Sequence, residues 1–219
     1  MLYDKDIREP LFDFLEETYG KIRIIEEKTT GKSRADIVMV APDALYGIEI
    51  KSDADTYARL GSQIKDYDQY YDYNIVAVGS SHGLHISEHV PDYWGIITVE
   101  EVDGEIDLYF LRKPGMNPRM KWERKLSILW RTELALLQEW NDMPKYKDKS
   151  KRFVCQKINE RIPQKISEEK LKYEISELLF ERDYNNVELM MEWAKKRQIL
   201  AKNKERKNKN RRSVVFGVK

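Results

Sequence analysis

A single cysteine, Cys155, and three histidines among 219 residues exclude an internal disulfide and leave too few clustered ligands for a structural zinc site. No apolar run approaches the roughly 18 residues that cross a bilayer. The first nine residues are charged rather than signal-like, so the expected location is the cytoplasm, with no membrane contact. No internal repeat occurs at solenoid spacing. What the chain does have is a hydrophobic fraction of 41%, enough for a core, under a surface fed by 35% charged residues.

The formal net charge of +1 hides an asymmetry. Residues 1–111 carry 10 Lys and Arg against 23 Asp and Glu, a net of −13, whereas residues 112–219 carry 29 against 15, a net of +14. Two solvated parts that attract each other would give such a split; so would one part for chemistry and a basic part for a polyanion.

Apolar residues at helical spacing (Ile7, Leu11, Phe14, Leu15) followed by Gly20 predict a first helix over residues 4–19. Three β-rich segments follow at 22–25, 35–40 and 46–51, with turn signals at Gly31 and Pro42. Helical spacing returns over 56–71, and strands are expected at 74–79, 95–99 and 106–111. Pro114, Gly115 and Pro118 read as a linker, after which amphipathic helices are predicted over 122–140, 151–161, 168–182 and 187–200. Between Lys195 and Arg212 lie ten Lys and Arg and one acid, a composition that cannot bury surface. The expected organisation is an α/β domain over 1–111, a helical domain over 112–200 and a basic, flexible tail over 201–219.

The anomalous charges are Asp36, which opens the apolar strand Ile37-Val38-Met39-Val40, and Glu49 with Lys51 in Gly47-Ile48-Glu49-Ile50-Lys51. Alternate side chains share a face of a strand, so Glu49 and Lys51 project together while Ile48 and Ile50 enter a core. A hairpin partner strand would bring Asp36 to the same point. Two carboxylates without histidine or thiol make a hard oxygen site suited to Mg²⁺ or Mn²⁺. Such a site polarises a phosphodiester and activates water, and Lys51 can orient that water or offset charge on phosphorus. A solvated edge strand whose Glu49 and Lys51 pair across the sheet accounts for the alternation equally well.

Ser33-Arg34-Ala35-Asp36-Ile37-Val38 with Tyr46-Gly47-Ile48-Glu49-Ile50-Lys51-Ser52-Asp53, continued by Arg59-Leu60, Gln63 and Tyr67, resembles the PD-(D/E)XK nuclease superfamily. The likeness is to small bacterial and phage members and to DNA-repair proteins, over residues 4–111. Ala35 replaces the Pro of the superfamily's literal Pro-Asp pair. The resemblance implies a restriction-endonuclease-like core, a mixed sheet flanked by helices; the helical region and basic tail that follow it are read from periodicity and composition. It implies Asp36, Glu49, Lys51 and Gln63 as catalytic residues. Asp36 and Glu49 would be joined as metal ligands by Glu26 from the sheet, or by Glu9 or Glu16 from the first helix.

Gln63 and Tyr67, one turn apart, either position substrate or pack ordinarily. Arg34 either grips a phosphate or forms a surface ion pair. Lys204, Arg206, Lys207, Arg211 and Arg212 are expected to hold the nucleic-acid backbone. Asp53 and Asp55 read as a turn and helix cap, with contact to the metal as the alternative, His82 and His85 as surface or core residues, and the tryptophans as core. The expected function is Mg²⁺-dependent hydrolysis of nucleic acid, DNA first. The alternative is a catalytically silent binding module or inhibitor acting on a protein partner; homodimerisation stays open.

Overall fold

The computed structural model describes residues 2–184, 192, 193, 195–200 and 203. Of the helix expected over 187–200, residues 192, 193 and 195–200 are described and are helical; of the tail expected over 201–219, only residue 203 is described.

Helix α1 (Asp4–Tyr19) buries Ile7, Leu11 and Leu15, one stripe at four-residue spacing, and stops at Gly20, whose φ is 72° and whose N–H reaches Glu16 O at 2.8 Å. Then come β1 (Arg23–Thr30), β2 (Ser33–Ala41) and β3 (Ala44–Lys51), an antiparallel meander. Helix α2 (Leu60–Tyr70) crosses over to β4 (Tyr73–Gly79), parallel to β3; the short α3 (Ser80–Gly83) leads to β5 (Gly95–Val102), parallel to β4; and β6 (Glu105–Arg112) returns antiparallel. The sheet has six strands in sequence order, mixed in direction. Its central parallel strands are nearly continuous in burial because both faces are covered, whereas edge strand β6 alternates exposed and half-buried residues.

One face packs on α1 through Ile37, Met39, Ile48, Ile50, Ile75 and Ala77. The other carries Val38, Val40, Val76 and Val78 and packs on α2 and on the C-terminal helices in one continuous apolar cluster. Those helices are α4 (Trp122–Leu126), α5 (Arg131–Trp140), α6 (Lys151–Asn159) and α7 (Glu168–Phe180). Polar ties hold them to the sheet: Arg23 donates to the carbonyls of Leu179 (2.9 Å) and Phe180 (2.7 Å), and buried Lys125 donates to Asp72 at 2.5 Å. The Pro-rich segment after β6 is also tied down, with the Asn117 amide donating to Asp68 O and Tyr71 O.

The single helix expected over 122–140 is two helices with a turn at Ser127–Trp130. The Trp130 backbone is extended, and its N–H donates to Glu133 Oε2 at 2.6 Å, so Glu133 starts a new helix there. Glu133 in turn receives Arg182 Nε at 2.7 Å and Nη2 at 2.5 Å, both residues fully buried. That tertiary contact selects the break, and helical periodicity carries no trace of it.

Candidate active site

Because Ile48 and Ile50 face α1, the alternation of β3 turns Glu49 and Lys51 to the α2 side, where both are buried. Lys51 Nζ donates to Glu49 Oε1 at 2.5 Å, Gln63 Nε2 donates to the same oxygen, and Tyr67 Oη donates to Oε2 at 2.7 Å. The sequence supports this locally: Gln63 and Tyr67 lie one turn apart on α2, over β3. Gly47 leaves room for the rings, since a Cβ there would meet Tyr71 Cδ2 at 2.2 Å and Tyr67 Cδ1 at 2.7 Å.

Asp36 arrives from β2 at a fork. Pairing of β2 with β3 runs from Ala41 opposite Ala44 to Ile37 opposite Ile48 and ends there. Past that point the Asp36 carboxylate accepts the freed N–H of Ile50 at 2.8 Å, while its own N–H donates to Tyr67 Oη at 3.2 Å. Burial, and next the charge of Glu49, pushes the Asp36 carboxyl up to about 7; the Ile50 N–H and Lys51 oppose the shift without cancelling it. Tyr67, buried against both carboxylates, has its phenol pushed up as well and acts as a donor.

Asp36, Glu49, Lys51 and Gln63 therefore line one cleft of about 530 Å³, which Arg34 also borders. Arg34 is 69% exposed and pairs with Glu27 at 2.6 Å. Glu27 itself adopts φ 53°, a left-handed conformation uncommon outside glycine. Glu26 is exposed and bonded to Arg8 Nη1 at 2.9 Å, outside the cleft lining; Glu9 and Glu16 are exposed on α1 and also outside it. Among the described residues no group of three or more acids, histidines or cysteines converges as a metal cage. Lys204, Arg206, Lys207, Arg211 and Arg212 lie outside the described residues.

Sequence reasoning missed Asp4, Arg8, Lys32 and Arg59 in the cleft wall. Two had a readable signal: Arg8 lies one turn after Asp4, with which it pairs at 2.7 Å, and Arg59 lies four residues before Gln63. Asp53 and Asp55 serve the turn: Asp55 accepts Ser52 N–H and Oγ, and Asp53 accepts Leu2 N–H and Ser81 Oγ. His82 contacts Tyr57 Oη at 2.9 Å and His85 contacts Glu88.

No helix among the described residues is long and apolar enough to cross a membrane. No curated protein matches the chain. A solved structure described as Pyrococcus furiosus SfsA in complex with Ca²⁺ aligns with 15% identity and a TM-score of 0.32, over 53% of this chain and 63% of that one. At that level the likeness carries no functional information. A family model described as Bacteriophage P4 protein cII matches residues 2–206. With nearly its whole length matched, the chain belongs to the Bacteriophage P4 protein cII family.

Proposed function

We propose that this protein is a divalent-metal-dependent phosphodiesterase of the PD-(D/E)XK type that hydrolyses nucleic acid, with DNA as the expected substrate. The observation that carries the reading is the pair of partly desolvated carboxylates, Asp36 and Glu49, facing one ammonium, Lys51, in an open cleft. One cation does not neutralise two carboxylates, and the Asp36 carboxyl is pushed up first by burial and then by the charge of Glu49. A hard divalent cation fits that imbalance. Gln63 adds an oxygen of the same kind, because its Oε1 is buried without a hydrogen-bond partner among the described residues. Mg²⁺ or Mn²⁺ is held well by one or two carboxylates plus water and substrate phosphate, so a closed cage of acids is not required.

Asp36 and Glu49 would hold the ion, which when bound supplies Lewis acidity and lowers the pKa of a coordinated water. Lys51 is placed beside both carboxylates to orient the attacking water and to offset charge growing on the phosphorus oxygens. Gln63 and Tyr67 fix the Glu49 carboxylate. Arg34, Lys32 and Arg59 offer positive charge at the cleft wall for flanking phosphates.

A second reading, a silent binding module, is favoured by one observation: Lys51, Gln63 and Tyr67 already occupy both Glu49 oxygens. Incubation with labelled single- and double-stranded DNA and RNA in Mg²⁺ or Mn²⁺ separates the two. The nuclease reading expects cleavage by the wild type and a loss of about 100-fold or more in Asp36→Asn and Lys51→Met. Asp36→Asn keeps an oxygen for the Ile50 N–H, so the fold should survive it. A wild type that cuts neither DNA nor RNA with either ion sinks the nuclease reading.

A further inference from the structure

Beyond the C-terminal end of α2 lies a second concavity, a groove of about 790 Å³ between α4 and α6. Lys121, Arg124, Lys151 and Arg152 line it, against a single carboxylate, Glu123, which Arg152 approaches to 3.8 Å. Lys151 Nζ is held toward the groove wall by the Ser127 carbonyl at 2.6 Å. Burial pulls the Lys151 amine below its ordinary range, with Lys28 and Arg182 lowering it further and Cys155 and Glu133 opposing.

The aromatic lining is Trp122. One face of its indole carries Lys125 Nζ at 5.2 Å, and Lys125 is fully buried beneath it with Asp72, so the ring is braced from inside while Trp122 remains half-buried in the groove wall. A fixed ring in a cationic groove is the combination that grips unpaired nucleotides: phosphates on the cations, a base on the ring. A duplex offers its phosphates but not the face of a base.

The groove also lies on the side of the sheet that holds Glu49 and Lys51. Lys121 N–H caps the Gln69 carbonyl at 3.0 Å, and Gln69 is six residues along α2 from Gln63, about 9 Å of helix axis.

We infer that the α4–α6 groove is a docking site for single-stranded nucleic acid, with Arg124, Lys151 and Arg152 on phosphates and Trp122 stacked on a base. The inference deepens the nuclease reading by naming where the substrate strand is held away from the acidic cleft.

The test is binding rather than cleavage. Fluorescence anisotropy of a labelled oligothymidine, full-length protein and EDTA reads the groove with chemistry switched off. Reversing Arg124→Glu and Arg152→Glu together should weaken binding about tenfold or more and reduce the slope of log affinity against log salt by about 1.4, two single-strand phosphate contacts. Lys147→Glu with Lys165→Glu, equal in charge but elsewhere on the helical region, should change affinity far less. Trp122→Leu, which keeps an apolar cover over Lys125, should erase the preference for the oligothymidine over a duplex of equal length.

Circular dichroism melting of each variant identifies any loss that comes from unfolding, and Arg124 and Arg152 are exposed enough that none is expected. Equal losses in groove and control pairs, or no loss in the groove pair, overturn the inference. So does competition by millimolar inorganic phosphate alone, which would make the groove a site for free anions. If the protein binds through the groove but cuts nothing, the nuclease reading falls and the groove stands; if it cuts while the groove pair binds normally, the reverse holds.

Discussion

Gly47 and Cys155 illustrate how much single residues settle. At Gly47 the absent side chain is what lets Tyr67 and Tyr71 lie on β3, and Tyr67 holds both Glu49 and the Asp36 backbone. Gly47→Ala should therefore cost about 1–3 kcal/mol, as overpacking does. It should also lower any nuclease activity, although the residue touches no substrate. Urea denaturation alongside a cleavage assay reads both, and unchanged stability would show that the rings can move aside. Cys155 is buried, and its thiol is pushed up to about 11, chiefly by burial. At pH 8 its thiolate fraction is then roughly 100-fold below that of an ordinary thiol. Reaction with an aromatic disulfide reagent should be slow in the native protein, should speed up as pH rises toward 11, and should become fast in urea; rapid native labelling at pH 8 would contradict the burial.

At the scale of elements, the C-terminal helices depend on ion pairs sealed from water. Lys125 on α4 meets Asp72, at the end of the α2–β4 connection, and Asp72 also accepts Leu45 N–H at 2.8 Å. The Lys125 amine is pulled down by burial and pushed back up by Asp72. Lys125→Met fills the space but leaves a buried carboxylate without its cation, which costs about 3–5 kcal/mol. A urea midpoint shift corresponding to less than about 1 kcal/mol would mean that water reaches Asp72 in the variant. Pairs of this kind also mark what the sequence conceals. The succession of helix and strands along the chain and the side-sharing of Glu49 and Lys51 are legible in it, because hydrophobic periodicity is local. The turn at Ser127–Trp130 is not, since Glu133 is fixed by Arg182, forty-nine residues away. The acids expected as metal ligands are legible only as far as strand geometry reaches: Asp36 and Glu49 line one cleft, whereas Glu26 is drawn off by Arg8, an ion pair that spacing does not announce.

The whole molecule is divided by charge, −13 over residues 1–111 against +14 over 112–219, and that division has to be bridged for a polyanion to reach the cleft. An acidic half of this size repels nucleic acid over roughly a Debye length, about 8–10 Å near physiological salt. Attraction from the basic half must exceed that repulsion. The groove accounts for a few phosphates; residues 201–219 add eight Lys and Arg against Glu205 alone. Binding through such a segment is sequence-independent and strongly salt-dependent. Deleting residues 201–219 should thus weaken binding to DNA of any sequence and flatten the salt dependence. For every phosphate the truncated protein no longer neutralises, the log–log slope falls by about 0.7 on a single strand and 0.9 on a duplex. The truncated protein should keep whatever preference the groove confers for single strands, because Trp122 and its cations remain. A titration of both substrates across a salt series separates the two contributions: an unchanged slope would remove the tail from binding altogether, and disappearance of the strand preference would move that property from the groove to the tail.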